Sequence, residues 1–172
     1  RKAMVAWEVV GGAQKGGVLV RLHKDTTSEL LEERLSTGAL VEELSKEGDR
    51  LKYQLLKGDG PPTGWVSLTT GGKQLLIISE QVWIACGGAE KGGLLVREGC
   101  ELTSQMLPQR LVTGTTVVET EPVVDGRLRY QLLNGSGPST GWVTVQAQGK
   151  ELMRRATGQS LVTTVPEMPI KE

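Results

Sequence analysis

The stretch Gly60-Pro61-Pro62-Thr63-Gly64-Trp65-Val66-Ser67 comes back later in the chain as Gly137-Pro138-Ser139-Thr140-Gly141-Trp142-Val143-Thr144. Proline fixes φ and glycine admits positive φ, so each copy is turn chemistry running into a short β-type run headed by a tryptophan. That tryptophan is the largest apolar surface in its neighbourhood and stands where the strand begins.

Outward from these two points, the rest of the chain is also written twice. Trp7 and Trp83 set an offset of 76 residues, at which Gly11-Gly12-Ala13-Gln14-Lys15-Gly16-Gly17 matches Gly87-Gly88-Ala89-Glu90-Lys91-Gly92-Gly93. Leu19-Val20-Arg21 matches Leu95-Val96-Arg97 at the same offset, and Arg34-Leu35 and Thr37-Gly38 match Arg110-Leu111 and Thr113-Gly114. Arg50-Leu51-Lys52-Tyr53-Gln54-Leu55-Leu56 then matches Arg127-Leu128-Arg129-Tyr130-Gln131-Leu132-Leu133 at an offset of 77. The extra residue enters near Gly48-Asp49 and Asp125-Gly126, where a hairpin turn absorbs it cheaply. The pattern gives two homologous units, residues 1–78 and 79–155, and a tail, 156–172.

Each unit reads as short strands between turns: Val5–Val10, Val18–Leu22, Leu40–Leu44, Leu51–Leu56, Trp65–Leu68 and Gln74–Ile78, with the same runs in the second unit. Strands of this length and spacing predict an all-β small barrel or sandwich. One segment differs. Thr27-Ser28-Glu29-Leu30-Leu31-Glu32-Glu33-Arg34-Leu35 has a capping residue and an apolar i, i+4 pair, which is a helical signature. Its counterpart carries Pro108 in the middle, so the expectation is a single turn or a 3₁₀ piece.

Composition narrows the partners. The 172 residues include 23 Gly and no Phe, and 20 basic residues balance 20 acidic ones. A neutral chain argues against nucleic acid or an anionic membrane as the main partner. No apolar run nears the roughly 20 residues a spanning helix needs, so any membrane association is expected to be peripheral. The chain opens at Arg1 without Met or a signal-like segment, which reads as a processed form or a fragment. Cys86 and Cys100 fit no metal-site spacing and are not opposed in a simple hairpin, so they read as free thiols.

The order of these features resembles bacterial-type SH3-like domains. The carriers are Leu19-Val20-Arg21, Ser28, Leu35, Gly38, Val41, Tyr53 and Gly64-Trp65-Val66-Ser67 in the first unit. In the second they are Leu95-Val96-Arg97, Ser104, Leu111, Gly114, Val117, Tyr130 and Gly141-Trp142-Val143-Thr144. The Gly-Gly-x-x-Lys-Gly-Gly and Arg-Leu-x-Tyr-x-Leu-Leu-x-Gly-x-Gly-Pro phrasing is also similar to a variant abundant in dinoflagellate algal proteins. The resemblance implies two tandem small β-barrels of a kind that binds or positions other molecules and is rarely catalytic.

The six aromatic residues form three equivalent pairs: Trp7/Trp83, Tyr53/Tyr130 and Trp65/Trp142. Two readings stand. In one they pack the barrels, and Trp65 and Trp142 matter mainly for stability. In the other they line a groove in each unit for a peptide or glycan, with Trp65 and Trp142 the better candidates because the adjacent glycine leaves one ring face open. Catalytic chemistry finds little. Gly11–Gly17 with Lys15 lacks the phosphate-loop order and has no helix behind it, so it reads as a hairpin loop. His23 is the single histidine and Gly99 stands at its place in the second unit, with no orienting group for a Cys–His nucleophile. Glu32, Glu33, Glu42, Glu43 and Glu47 read as dispersed acids on a solvated face. No catalytic, cofactor or metal residue is expected, and the chain is not read as an enzyme.

In the tail, Leu161, Val162, Val165, Met168 and Ile170 are apolar but too few for a core, and Pro166 and Pro169 limit helix and central strand. The expectation is an extended docking arm held by the second barrel or by another subunit. The function expected from all this is a structural or accessory subunit docked on a larger protein assembly. The algal likeness suggests a peripheral soluble subunit of a plastid photosystem at the thylakoid. The alternative is a ligand-binding module that takes a peptide or polysaccharide through its aromatic grooves.

Overall fold

The computed structural model describes residues 4–157. They divide into two compact units, the first running to Ser79 and including Thr157, the second Glu80–Ala156.

The first unit contains β1 (Ala6–Val9), β2 (Leu40–Glu47), β3 (Arg50–Lys57), β4 (Thr63–Ser67), β5 (Thr69–Thr70), β6 (Lys73–Gln74) and β7 (Leu76–Ile78). Five of these make one antiparallel sheet in the order β4-β3-β2-β1-β7, and β5 and β6 form a small separate hairpin. Register shifts leave Leu56 of β3 extra between the pairs Leu40–Lys57 and Val41–Leu55, and Leu44 of β2 extra between Glu43–Tyr53 and Ser45–Lys52, and such bulges bend a strand and raise its twist. The curled sheet closes on Val20, Val41, Leu51, Tyr53 and Val66, none of which has any exposed surface. This is a small SH3-like barrel.

The second unit repeats it with β8 (Val82–Ala85), β9 (Thr116–Glu119), β10 (Arg127–Asn134), β11 (Thr140–Thr144), β12 (Gln146–Ala147), β13 (Lys150–Glu151) and β14 (Met153–Arg155). The sheet order is β11-β10-β9-β8-β14, and the core is built on Val96, Val117, Leu128, Tyr130 and Val143. The inserted residue lies at the β9–β10 connection. There Asp125 (φ 51°) and Gly126 (φ 72°) both turn left-handed between the bridged pair Val124 and Arg127, where the first unit has Gly48 (φ 60°) alone.

The repeated glycines have a steric reason. At Gly17 (φ +120°) an added Cβ would lie 2.3 Å from the carbonyl oxygen of Leu35, and at Gly93 (φ +125°) 2.5 Å from that of Leu111. Backbone stands in the way, so no side chain fits.

The structure corrects several expectations. Val18–Leu22 is not a regular strand but a set of lone bridges, Val18 to Leu35, Arg21 to Leu30 and Arg21 to Trp65. No helix or 3₁₀ piece forms within 27–35; a single turn closes its start, with Ser28 N–H donating to Asp25 O (3.0 Å). Beyond it the backbone pairs with a distant segment, with Leu31 N–H donating to Val20 O (2.8 Å) and Leu35 N–H to Val18 O (2.9 Å). Pairing with 18–20 satisfies those groups and turns Leu35 into the core, so tertiary packing overrides the local helical signature. The 3₁₀ turns fall at Ala13–Lys15 and Ala89–Lys91, inside the glycine-rich loops. Gln74–Ile78 divides between β6 and β7. Ala156 is buried and donates its N–H to Val82 O (2.7 Å), so the second barrel takes in the residue with which the docking arm was expected to begin. Leu161, Val162, Val165, Met168 and Ile170 lie outside the described residues, and so does the expectation placed on them. Among the described residues no helix is long and apolar enough to cross a membrane.

Candidate functional site

Residues paired across an antiparallel ladder share a face, and neighbours along a strand alternate. On β3 and β4, Leu51 opposite Val66 and Tyr53 opposite Gly64 face the core. Lys52 opposite Trp65 and Arg50 opposite Ser67 therefore face outward. The Arg21 backbone extends this ladder. It exchanges two 2.9 Å hydrogen bonds with Trp65, and Arg21 also bridges Leu30. Leu30, Arg21, Trp65 and Lys52 thus stand abreast on the outer face. The second unit builds the same row from Met106, Arg97, Trp142 and Arg129. Both tryptophans are half-buried, and Leu30 and Met106 are 45% and 48% exposed.

Two arginines fix the loop beside each row. Arg21 Nη1 donates to Ser28 O (2.6 Å), while Ser28 Oγ closes its own loop by donating to Asp25 O (2.8 Å). Arg50 Nε donates to Lys24 O (2.7 Å) and Nη1 to Ser67 Oγ (2.9 Å). Arg97 and Arg127 repeat these bonds, to Ser104 O (2.8 Å), Cys100 O (2.7 Å) and Thr144 Oγ1 (2.8 Å). Burial lowers the pKa of Arg50, and the neighbouring Arg21 charge adds to that.

The other aromatic candidates are interior. Tyr53 and Tyr130 have no exposed surface, and their hydroxyls donate to Pro61 O (2.8 Å) and Pro138 O (2.9 Å). Burial lifts both phenol pKa values well above the usual. Trp7 and Trp83 are each only 7% exposed, and their indole Nε1–H groups donate to Glu43 Oε1 (2.9 Å) and Glu119 Oε1 (2.8 Å). None of these four rings is open to a ligand, which corrects the groove reading for them. Trp65 and Trp142 face outward, half-buried and outside the core clusters.

Glu43, read in the sequence as a solvated acid, is the acceptor for a nearly buried indole. What could have exposed it is its repeat partner, since Glu119 keeps the same 36-residue separation from its own tryptophan. In the second unit Arg155 completes a cluster, with its guanidinium 4.4 Å from the Trp83 ring centroid and 3.4 Å from Glu119 Oε1. Glu43→Ala and Glu119→Ala are each expected to cost about 1–3 kcal/mol by leaving the indole N–H without an acceptor, and Gln at either position to recover most of it. Thermal melts of the four variants check this; equal losses for Ala and Gln would remove the hydrogen bond as the cause.

Cys86 and Cys100 are free. Burial pushes the Cys86 thiol pKa up, the opposite of what an activated nucleophile needs. Among the described residues no three His, Cys, Asp or Glu side chains gather where they could hold a metal ion. Each unit also carries a groove between its 3₁₀ turn and its small hairpin, about 380 Å³ in the first and about 1080 Å³ in the second.

No known sequence family matches the chain, and no curated protein does. Among solved structures the chain is similar to NlpC2 and NlpC1 from Trichomonas vaginalis, at 12% identity to each and TM-scores of 0.30 and 0.29. The alignments cover 84% of this chain and 47% and 45% of those two, so the chain spans under half the length of either. The comparisons give no support to a dinoflagellate variant, a plastid setting or a photosystem.

Proposed function

We propose that the chain is a non-catalytic docking module whose barrels attach to a partner protein through their outward tryptophan faces. One observation carries this reading: both units place a large apolar residue, an arginine, a tryptophan and a second cation abreast on the surface. The barrel does not need large apolar residues there, because its core is closed on the other face. A half-buried tryptophan beside arginine is the composition of an interface hot spot. An accessory subunit of a larger assembly is this reading in its wider form.

The alternative, a polysaccharide or peptide module with an aromatic groove, would call for more than one open ring per site. With Tyr53 and Trp7 interior, each barrel offers one. Cross-linking the native protein, followed by mass spectrometry of what it holds, tests the proposal. Cross-links from 21–30 and 52–65 to one protein support it; cross-links confined to other surfaces would overturn it.

A further inference from the structure

The groove of the first unit has a charge pattern that the docking face does not explain. Its lining includes Lys15, Arg21, Arg34, Arg50 and Lys73, and no acidic residue. In a chain with equal numbers of acids and bases, that is a local concentration of one sign. The three guanidiniums are held by uncharged acceptors. Arg21 donates to Ser28 O (2.6 Å), Arg34 to Gly17 O (3.1 Å) and Arg50 to Lys24 O (2.7 Å). Carbonyls fix their positions without cancelling their charge. Among the described residues none of the five cations is in an ion pair. Asp49 and Asp25 lie outside the groove's lining and act on Arg50 through their charge without pairing with it.

The second unit is an internal comparison. Arg97, Arg110 and Arg127 are pinned to matching carbonyls there, at 2.8, 3.1 and 2.7 Å. Its groove, however, includes Glu90 and Glu151, and Leu102 stands where the first unit has Thr26. Glu90 replaces Gln14 and lies 3.9 Å from Lys150, the counterpart of Lys73. The same scaffold sets two acids against its five cations in one copy and none in the other.

We propose that the groove of the first unit binds an acidic peptide segment of the partner protein. Guanidinium forks take carboxylates in bidentate fashion, and Arg21 and Arg34 are preorganised to do so. No aromatic side chain lines the groove, so neither nucleic-acid bases nor sugar rings find a stacking platform. Arg21 belongs to both the groove and the Trp65 row, which places the acidic segment beside the apolar contact. This inference rests on the docking reading and gives that partner its chemistry.

The test uses the whole chain and a fluorescein-labelled ten-residue oligoglutamate, followed by anisotropy at low ionic strength. Saturable binding that weakens with salt is expected. Lys15→Gln/Lys73→Gln should weaken it about tenfold, and Gln14→Glu, which imports the second unit's acid, about threefold. Lys91→Gln/Lys150→Gln in the second unit should leave it unchanged. All five positions are exposed, and melts of each variant confirm the fold. The proposal is overturned by an absence of saturable binding, by equal binding of oligoglutamine, by equal loss from the second-unit substitutions, or by tighter binding of a sulfated oligosaccharide or single-stranded oligonucleotide of equal length. If oligoglutamate fails while Trp65→Ala still releases the native partner, the acidic ligand falls and the docking reading stands. If oligoglutamate binds as expected and Trp65→Ala changes nothing, the reverse holds.

Discussion

Tyr53→Ala is expected to cost the first barrel about 3–5 kcal/mol, and Tyr130→Ala the second barrel as much. A core of this size seldom supplies more than about 3–5 kcal/mol in total, so either substitution should unfold its barrel near room temperature. The ring has no exposed surface and lies opposite Gly64 on the inner side of β3 and β4, so its removal opens a cavity that Gly64 has no side chain to fill. It also strips the Pro61 carbonyl of its 2.8 Å hydroxyl donor. Tyr53→Phe separates these effects. It keeps the ring and loses the hydrogen bond, for an expected cost of about 1 kcal/mol. Alkaline pH makes an independent check. Burial raises the phenol pKa in the fold above its unfolded value of about 10, so the folded state retains a proton that the unfolded state releases. The stability each tyrosine contributes is therefore complete below about pH 10 and falls as pH rises beyond it. Urea unfolding between pH 8 and 11 should reveal a slope that Tyr53→Phe/Tyr130→Phe reduces. An identical slope in that double variant would remove the tyrosines as its source.

The internal repeat made most of the fold legible. Two copies at offsets of 76 and 77 located the strands and the hairpin that took the extra residue, because turns and apolar runs had to agree in both. Where the reading went astray, the cause was a contact between distant segments. Leu30, Leu31 and Leu35 have helical spacing, yet backbone pairing with Val18–Arg21 makes their segment extended, and no local window carries that partner. The face on which Trp65 lies was hidden for the same reason. Alternation shows that Trp65 and Val66 point opposite ways, but only their pairing with Lys52 and Leu51 says which side is the core. The cationic groove draws on Lys15, Arg21, Arg34, Arg50 and Lys73, from separate segments of an electrically neutral chain. Net charge therefore argued against an anionic partner, while the fold gathers one sign of charge in one place.

Trp65→Ala/Trp142→Ala is the variant in which attachment and folding should part company. A fully buried tryptophan costs about 3–5 kcal/mol when truncated, and a ring half-covered on an outer face should cost roughly half that, leaving both barrels folded. A hot-spot side chain at an interface contributes about 2 kcal/mol or more, which is roughly thirtyfold in affinity for each tryptophan that engages. The flanking cations should matter less individually. Lys52→Gln and Arg129→Gln lie at exposed positions, and Arg129 already has a surface ion pair to Glu121 at 2.5 Å, so each should weaken attachment about threefold at most. Circular dichroism melts run beside co-purification of the cross-linked partner distinguish the outcomes. Retained melting with lost co-purification is the expected result. Loss of both would return Trp65 and Trp142 to a structural role, and retention of both would move the docking surface elsewhere on the barrels.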